Sequence, residues 1–213
     1  MISFKAFVFN PFQENTYVIS AENKDCIIID PGCFDREEHQ TLIQYIADNQ
    51  LNPKAVWLTH AHIDHVLGLQ FCLDHWKIPY FISASEIPQL KAVEVYAPNY
   101  GFNDFQPVIQ EGFLLDQSHI FLGIESFSIL IVPGHAPGHV AFYHQDSKQV
   151  WAGDVLFRQS IGRTDLPGGD FETLKKSIVE KLYTLPNETI VYPGHGPATD
   201  IGFEKKYNPF VSL

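Results

Sequence analysis

Long apolar runs are missing from this sequence. No stretch approaches the roughly 20 residues needed to span a bilayer, so no membrane partner is expected. The first ten residues carry a single lysine, Lys5, and alternate like a strand, unlike a secretory signal. Cysteine is scarce, with Cys26, Cys33 and Cys72 making three. An odd count without zinc-ribbon spacing argues against a disulfide framework and for a reducing, cytoplasmic compartment. Basic residues are also few: 14 Lys and Arg stand against 25 Asp and Glu, for a formal charge of −11. Nucleic-acid binding draws on cations that neutralise phosphates, so no nucleic-acid partner is expected.

What is present is one concentrated stretch, Leu58-Thr59-His60-Ala61-His62-Ile63-Asp64-His65. It sets three imidazoles and a carboxylate within six positions, a donor mix that suits borderline-soft divalent metals. Ala55 to Leu58 reads as a short buried strand, and Leu69, Leu73 and Trp76 recur at helical spacing. The motif is therefore expected in a strand-to-helix loop at the carboxyl end of a strand, where open sheets build sites. His60 and His62 are two apart, so an extended backbone points them the same way. Asp64 and His65 are expected beyond a bend, able to face a second ion.

The 213 residues, 45% of them apolar, suit one sizeable core, and a single domain over residues 1–213 is expected. Ile2 to Phe9, Asn15 to Ser20 and Cys26 to Asp30 read as strands. Asp30 ends the third as either a polar support for the site or a plain turn aspartate. Asp35 to Asn49 reads as a helix, with Asp35 as N-cap and Glu38 placed for a capping box. Asn52-Pro53 is expected to break the chain. Ile78 to Ile82 reads as a strand, and Glu86 to Tyr96 as a helix with Pro88 in its first turn. Tyr96 to Gln106 reads as a long loop, either a pocket wall or a surface connector.

A second strand-rich half follows: His119 to Leu122, Phe127 to Val132, His139 to His144 and Lys148 to Ala152. Asp170 to Tyr183 reads as a capped helix with Phe171, Leu174, Ile178 and Leu182 on one face. Thr189 to Tyr192 is the last predicted strand, and Ile201 to Leu213 is expected to be irregular. Strands followed by helices, twice and without a long linker, fit an α/β sandwich of two sheets with helices outside.

Three later segments each place a ligand-type residue after a strand and a glycine. They are Pro133-Gly134-His135, Gly153-Asp154 and Pro193-Gly194-His195. With the first motif they make seven candidate ligands, too many for one tetrahedral ion and suited to two ions sharing a bridge.

The H-x-H-x-D-H spacing resembles the signature of the metallo-β-lactamase superfamily. The full set His60, His62, Asp64, His65, His135, Asp154 and His195 matches the metal ligands of its glyoxalase II-like members. Gly153 to Phe157, Gly162-Arg163-Thr164-Asp165, Pro193 to Pro197 and Asn208-Pro209-Phe210 resemble the short bacterial branch of that group. The resemblance implies the αββα sandwich, two mixed sheets packed face to face with helices outside. It implies one ion on His60, His62 and His135, and a second on Asp64, His65 and His195, with Asp154 bridging. Zinc is expected first, with iron and manganese also suited to the donors. Asp64 and Asp154 are the expected catalytic carboxylates.

His139 is expected in the second shell or the core rather than as a ligand. Arg163 matches a basic residue that meets a substrate carboxylate in the long enzymes, although Asp165 is near enough to pair with it. No counterpart to their helical glutathione-binding domain is expected, and Gly196-Pro197 stand where they carry a tyrosine after the last ligand. The expected activity is hydrolysis of a small anionic thioester, of the hydroxyacylglutathione type. A thiolate leaves without a strong general acid, and no Ser or Cys nucleophile is needed. The rival enzyme is a mononuclear iron dioxygenase of glutathione persulfide, using His62, His135 and Asp154. A β-lactamase fits less well, since those enzymes lack an aspartate at the position of Asp154. A non-catalytic metal-binding module is the remaining alternative. The oligomeric state is left open.

Overall fold

The computed structural model describes residues 1–211 and divides into two compact units. The first comprises Met1–Leu115 and Leu122–Glu125, the second Asp116–Phe121 and Ser126–Leu213.

The first unit is built on a six-stranded mixed sheet. Strands β1 (Ile2–Phe9), β2 (Glu14–Ala21) and β3 (Asp25–Ile29) run antiparallel. Then β4 (Asn52–Trp57), β5 (Tyr80–Ile82) and β6 (Phe113–Leu114) continue the sheet in parallel. The near-continuous apolar run of β3 is buried along its length, as a strand covered on both faces requires. Strand β4 starts earlier than the sequence suggests, because Pro53 does not break it. The register with β3 shifts between Cys26 and Ile27, so Lys54 is an extra residue and a bulge absorbs the proline.

Helix α1 (Arg36–Asp48) has the expected N-cap: Asp35 Oδ1 accepts from the N–H groups of Glu37 and Glu38 at 2.8 and 2.9 Å. The capping box does not close as drawn. Glu38 instead accepts from the N–H of Asn10 at 2.6 Å and of Phe34 at 2.7 Å, fastening two loops to the helix start. Helices α2 (Ile63–Val66), α3 (Leu69–Trp76) and α4 (Ile87–Tyr96) follow. Leu42, Ile46, Val66, Leu69, Leu73 and Val93 pack with Val18, Ile28 and Val56 in one core.

The second unit carries a six-stranded sheet in the order β14-β13-β10-β9-β8-β7. Its strands are β7 (His119–Leu122), β8 (Glu125–Ile131), β9 (Val140–His144), β10 (Gln149–Gly153), β13 (Ile190–Pro193) and β14 (Thr199–Asp200). Strands β10 and β13 pair in parallel, and β10 pairs antiparallel with β9. A small hairpin, β11 (Leu156–Phe157) and β12 (Ser160–Ile161), follows β10. Helix α5 (Phe171–Ser177) is capped by Asp170 and runs into a π-turn over Ile178–Leu182. Leu174, Ile178 and Leu182 enter a core with Val150, Leu156 and Val191. Phe171 does not share that face; at the first helical position it stays 39% exposed. The carboxyl-terminal segment is not irregular: Ile201–Tyr207 forms α6, whose N-cap Asp200 accepts from Phe203 N–H. Ser212 and Leu213 of that segment lie outside the described residues.

Candidate metal centre

The first unit carries His60, His62, Asp64 and His65, just past the end of β4. Asp30, past the end of β3, organises them. Its Oδ1 accepts from Thr59 N–H at 2.7 Å, and its Oδ2 accepts from Thr59 Oγ1 at 2.5 Å. The same Oδ2 lies 3.0 Å from His65 Nδ1. Thr59 Oγ1 is also 3.0 Å from His60 Nδ1. The single hydroxyl proton goes to the carboxylate, so the hydroxyl accepts from His60 Nδ1–H. Both imidazoles therefore carry their proton on Nδ1 and keep the Nε2 lone pair for a ligand role. The backbone of Asp30 is left-handed, at φ 48°, a conformation that aspartate tolerates better than most residues.

His60 and His65 are fully buried, and His62 nearly so. The His60 ring centroid is 4.7 Å from that of His62 and 4.1 Å from that of His65. Beyond His62 the chain bends into α2, which places Asp64 Oδ2 3.7 Å from His65 Nε2. Two distant side chains hold this loop. Glu86, buried just ahead of α4, accepts from Ala61 N–H at 2.8 Å. Asn10 Nδ2 donates to the carbonyls of Gly32 and Asp64, both at 3.0 Å. Glu14 is buried beneath His65, its Oε1 3.9 Å from His65 Nδ1, and burial pushes its carboxyl well above the usual range.

The second unit carries His135 after β8, Asp154 after β10 and His195 after β13. Gly134 before His135 has φ 128°, and a Cβ there would meet Leu174 N at 2.2 Å. Only glycine suits both conditions. His135 Nδ1 lies 2.8 Å from the Arg163 carbonyl, which fixes its proton on Nδ1. Asp154 N–H donates to His139 Nε2 at 3.1 Å. That contact commits the His139 Nε2 lone pair to the backbone, so this ring positions Asp154. Gly194 N–H donates to the Gly153 carbonyl at 2.8 Å, holding the loops that carry Asp154 and His195 side by side. Asp154 Oδ2 consequently lies 3.5 Å from Nε2 of His135 and 3.5 Å from Nε2 of His195.

Arg163 offers its carbonyl to His135 and its side chain to Asp165. Nε and Nη2 donate to the two Asp165 oxygens, each at 2.7 Å, in an exposed bidentate pair. That pairing holds the Asp165 carboxyl down at about 2. Among the remaining histidines, His39 stacks on Phe71 and His75 lies beside Phe71 and Trp76. His119 and His144 meet Ser118 and Ser147. Sequence reasoning missed Thr59, Glu86 and Asn10. Thr59 sat inside the motif, but nothing in ligand spacing marks a hydroxyl. Glu86 and Asn10 are single polar residues at turns, a common surface pattern.

Residues 9–195 match the profile of the metallo-beta-lactamase superfamily. The chain belongs to that superfamily. It is 37% identical to the hydroxyacylglutathione hydrolase GloC of Haemophilus influenzae, over 94% of each chain. The B3 metallo-beta-lactamase BLEG-1 superposes with a TM-score of 0.88 at 37% identity, covering 99% of this chain and 100% of its own. TTHA1623, crystallised in a di-iron-bound form, superposes at 0.87 and 36% identity, covering 97% and 100%. The α/β fold of two mixed sheets expected from the sequence is thereby borne out. The His/Asp donors suit a divalent metal of this superfamily: neutral imidazoles held at Nδ1, with carboxylates among them. No helix among the described residues is long and apolar enough to cross a membrane.

Proposed function

We propose that this chain is a binuclear metal-dependent thioester hydrolase of the hydroxyacylglutathione type. The observation that carries this is Asp154 Oδ2 standing 3.5 Å from each of two histidine nitrogens, as a carboxylate shared by two ions requires. His60, His62 and His135 would hold one ion, and Asp64, His65 and His195 the other, with Asp154 bridging. Zinc is the first choice, and iron or manganese suit the same donors. When bound, the pair would supply a nucleophilic water at neutral pH and polarise the thioester carbonyl. The protein's part is orientation. Asp30 and Thr59 hold His60 and His65 in the ligating tautomer, the Arg163 carbonyl does so for His135, and His139 holds the Asp154 backbone. A thiolate leaving group needs no proton from the enzyme, which fits a site built from ligands rather than acids. The kinship to GloC supports this substrate class, and the kinship to BLEG-1 favours β-lactam hydrolysis as the second reading.

Metal analysis of chelator-free protein, together with assays on S-lactoylglutathione and a cephalosporin, tests the proposal. Two ions per chain and thiol release are expected. One ion in fully loaded protein, or turnover of the cephalosporin alone, would overturn it.

A further inference from the structure

The loop carrying Asp64 supports something besides ligands. Two segments hang from it, and both bring aromatic rings. Asn10, at the tip of the β1–β2 hairpin, donates to the Asp64 carbonyl, and Phe12 follows two residues later. Glu86, which accepts from Ala61 N–H, leads into α4, and α4 ends at Tyr96 with Tyr100 one turn beyond. Phe12 and Tyr100 meet edge to face with centroids 6.0 Å apart, and Tyr96 meets Tyr100 at 5.9 Å. Phe102 lies under Phe12 at 5.9 Å and is itself backed by Phe34 at 4.8 Å. The lower rings are fixed, since Phe102 is 4% exposed, yet Phe12 is 39% and Tyr100 55% exposed.

Burying two aromatic faces is favourable, and a fold that only needed a cover could have turned them inward. The hairpin tip holding Phe12 is instead tied down by hydrogen bonds. Asn10 and Gln13 both adopt positive φ, and Asn10 is bound at its backbone N–H and through both side-chain ends. An exposed apolar ledge hydrogen-bonded to the loop that carries Asp64 is a candidate surface for a group attached to the reacting carbonyl.

We propose that Phe12 and Tyr100 form a specificity ledge for an aryl or similarly bulky apolar group of the thioester. The proposal rests on the thioester reading above, and deepens it by naming the substrate class. The bulky group belongs to either the acyl or the thiol half, so the test has two arms. One compares S-mandeloyl- with S-lactoylglutathione. The other compares the lactoyl thioesters of benzyl mercaptan and N-acetylcysteamine. In one arm at least, wild type should prefer the aryl compound about tenfold in kcat/KM. That preference should fall to near unity in Phe12→Ala/Tyr100→Ala and be rescued by Phe12→Tyr/Tyr100→Phe, with melting curves confirming folded variants. Calorimetry of mandelate against lactate, and of benzyl mercaptan against N-acetylcysteamine, reads the same ledge without turnover. If no thioester is hydrolysed, the functional reading falls, while an aryl preference in binding that the double variant erases still upholds the ledge. Equal behaviour across both arms in rate and binding, or a preference that survives the double variant, would overturn it.

Discussion

Asp30 and His65 are joined through one oxygen, Oδ2, that also receives the hydroxyl of Thr59 and, through it, orients His60. A single carboxylate thus sets the tautomer of two imidazoles. Asp30→Asn replaces one acceptor oxygen by an NH2 group facing N–H or O–H donors. Metal affinity should fall roughly 10- to 100-fold while far-UV circular dichroism is retained. Competition with a chromophoric chelator measures it, and an unchanged affinity would remove Asp30 from the site.

The β11–β12 hairpin returns so closely that a Cβ on Gly162 would lie 1.9 Å from the Asp154 carbonyl and 3.0 Å from His135 Nδ1. Gly162→Ala must displace backbone. It should cost about 1–3 kcal/mol in urea unfolding and reduce bound metal as well. Lost stability with metal binding untouched would show that the hairpin yields away from the ligands.

Arg163 and Asp165 form an exposed pair, so Arg163→Ala should leave the melting temperature nearly unchanged. The pair competes with any substrate carboxylate for the same guanidinium. Asp165→Asn should therefore lower KM for glutathione thioesters and not for neutral ones. A KM change common to both classes would deny the guanidinium a substrate role.

The same pair has a pH signature. A folded-state carboxyl depressed to about 2 contributes stability above its unfolded value near 4. That contribution is lost as pH falls from about 4 through about 2. NMR titration should place Asp165 near 2 in wild type and back in the ordinary aspartate range in Arg163→Ala. An aspartate that titrates alike in both proteins would mean that the pair does not persist in solution.

Glu204 is fully buried in α6, accepting from Gln159 N–H, Thr199 Oγ1 and Asn208 Nδ2. Glu204→Gln sets an amide donor among those donors. The loss should be roughly 2–3 kcal/mol, seen as a melting temperature lower by about 5 °C or more. Stability equal to wild type would mean that the network rearranges around a neutral side chain.

Elements with strong periodicity or clear caps were legible from residues alone. α1 announced itself by Asp35 and by Leu42 and Ile46, and the candidate ligands His135, Asp154 and His195 follow strands as their spacing suggests. What stayed hidden depends on partners distant in sequence. Pro53 reads as a breaker until β3 supplies a bulge for it. Helix α6 is short and begins Ile-Gly, so only its cap and the buried Glu204 reveal it. Thr59 gains its role from Asp30, which lies 29 residues earlier.

The Thr59–Asp30–His65 network is made of protein groups alone, so hydrogen bonds within the chain orient these donors. Its imidazole and carboxylate donors are of types that several first-row ions accept. Which ion resides there becomes a matter of supply and exchange rate: the same polypeptide, raised on different metals, would yield enzymes of different character.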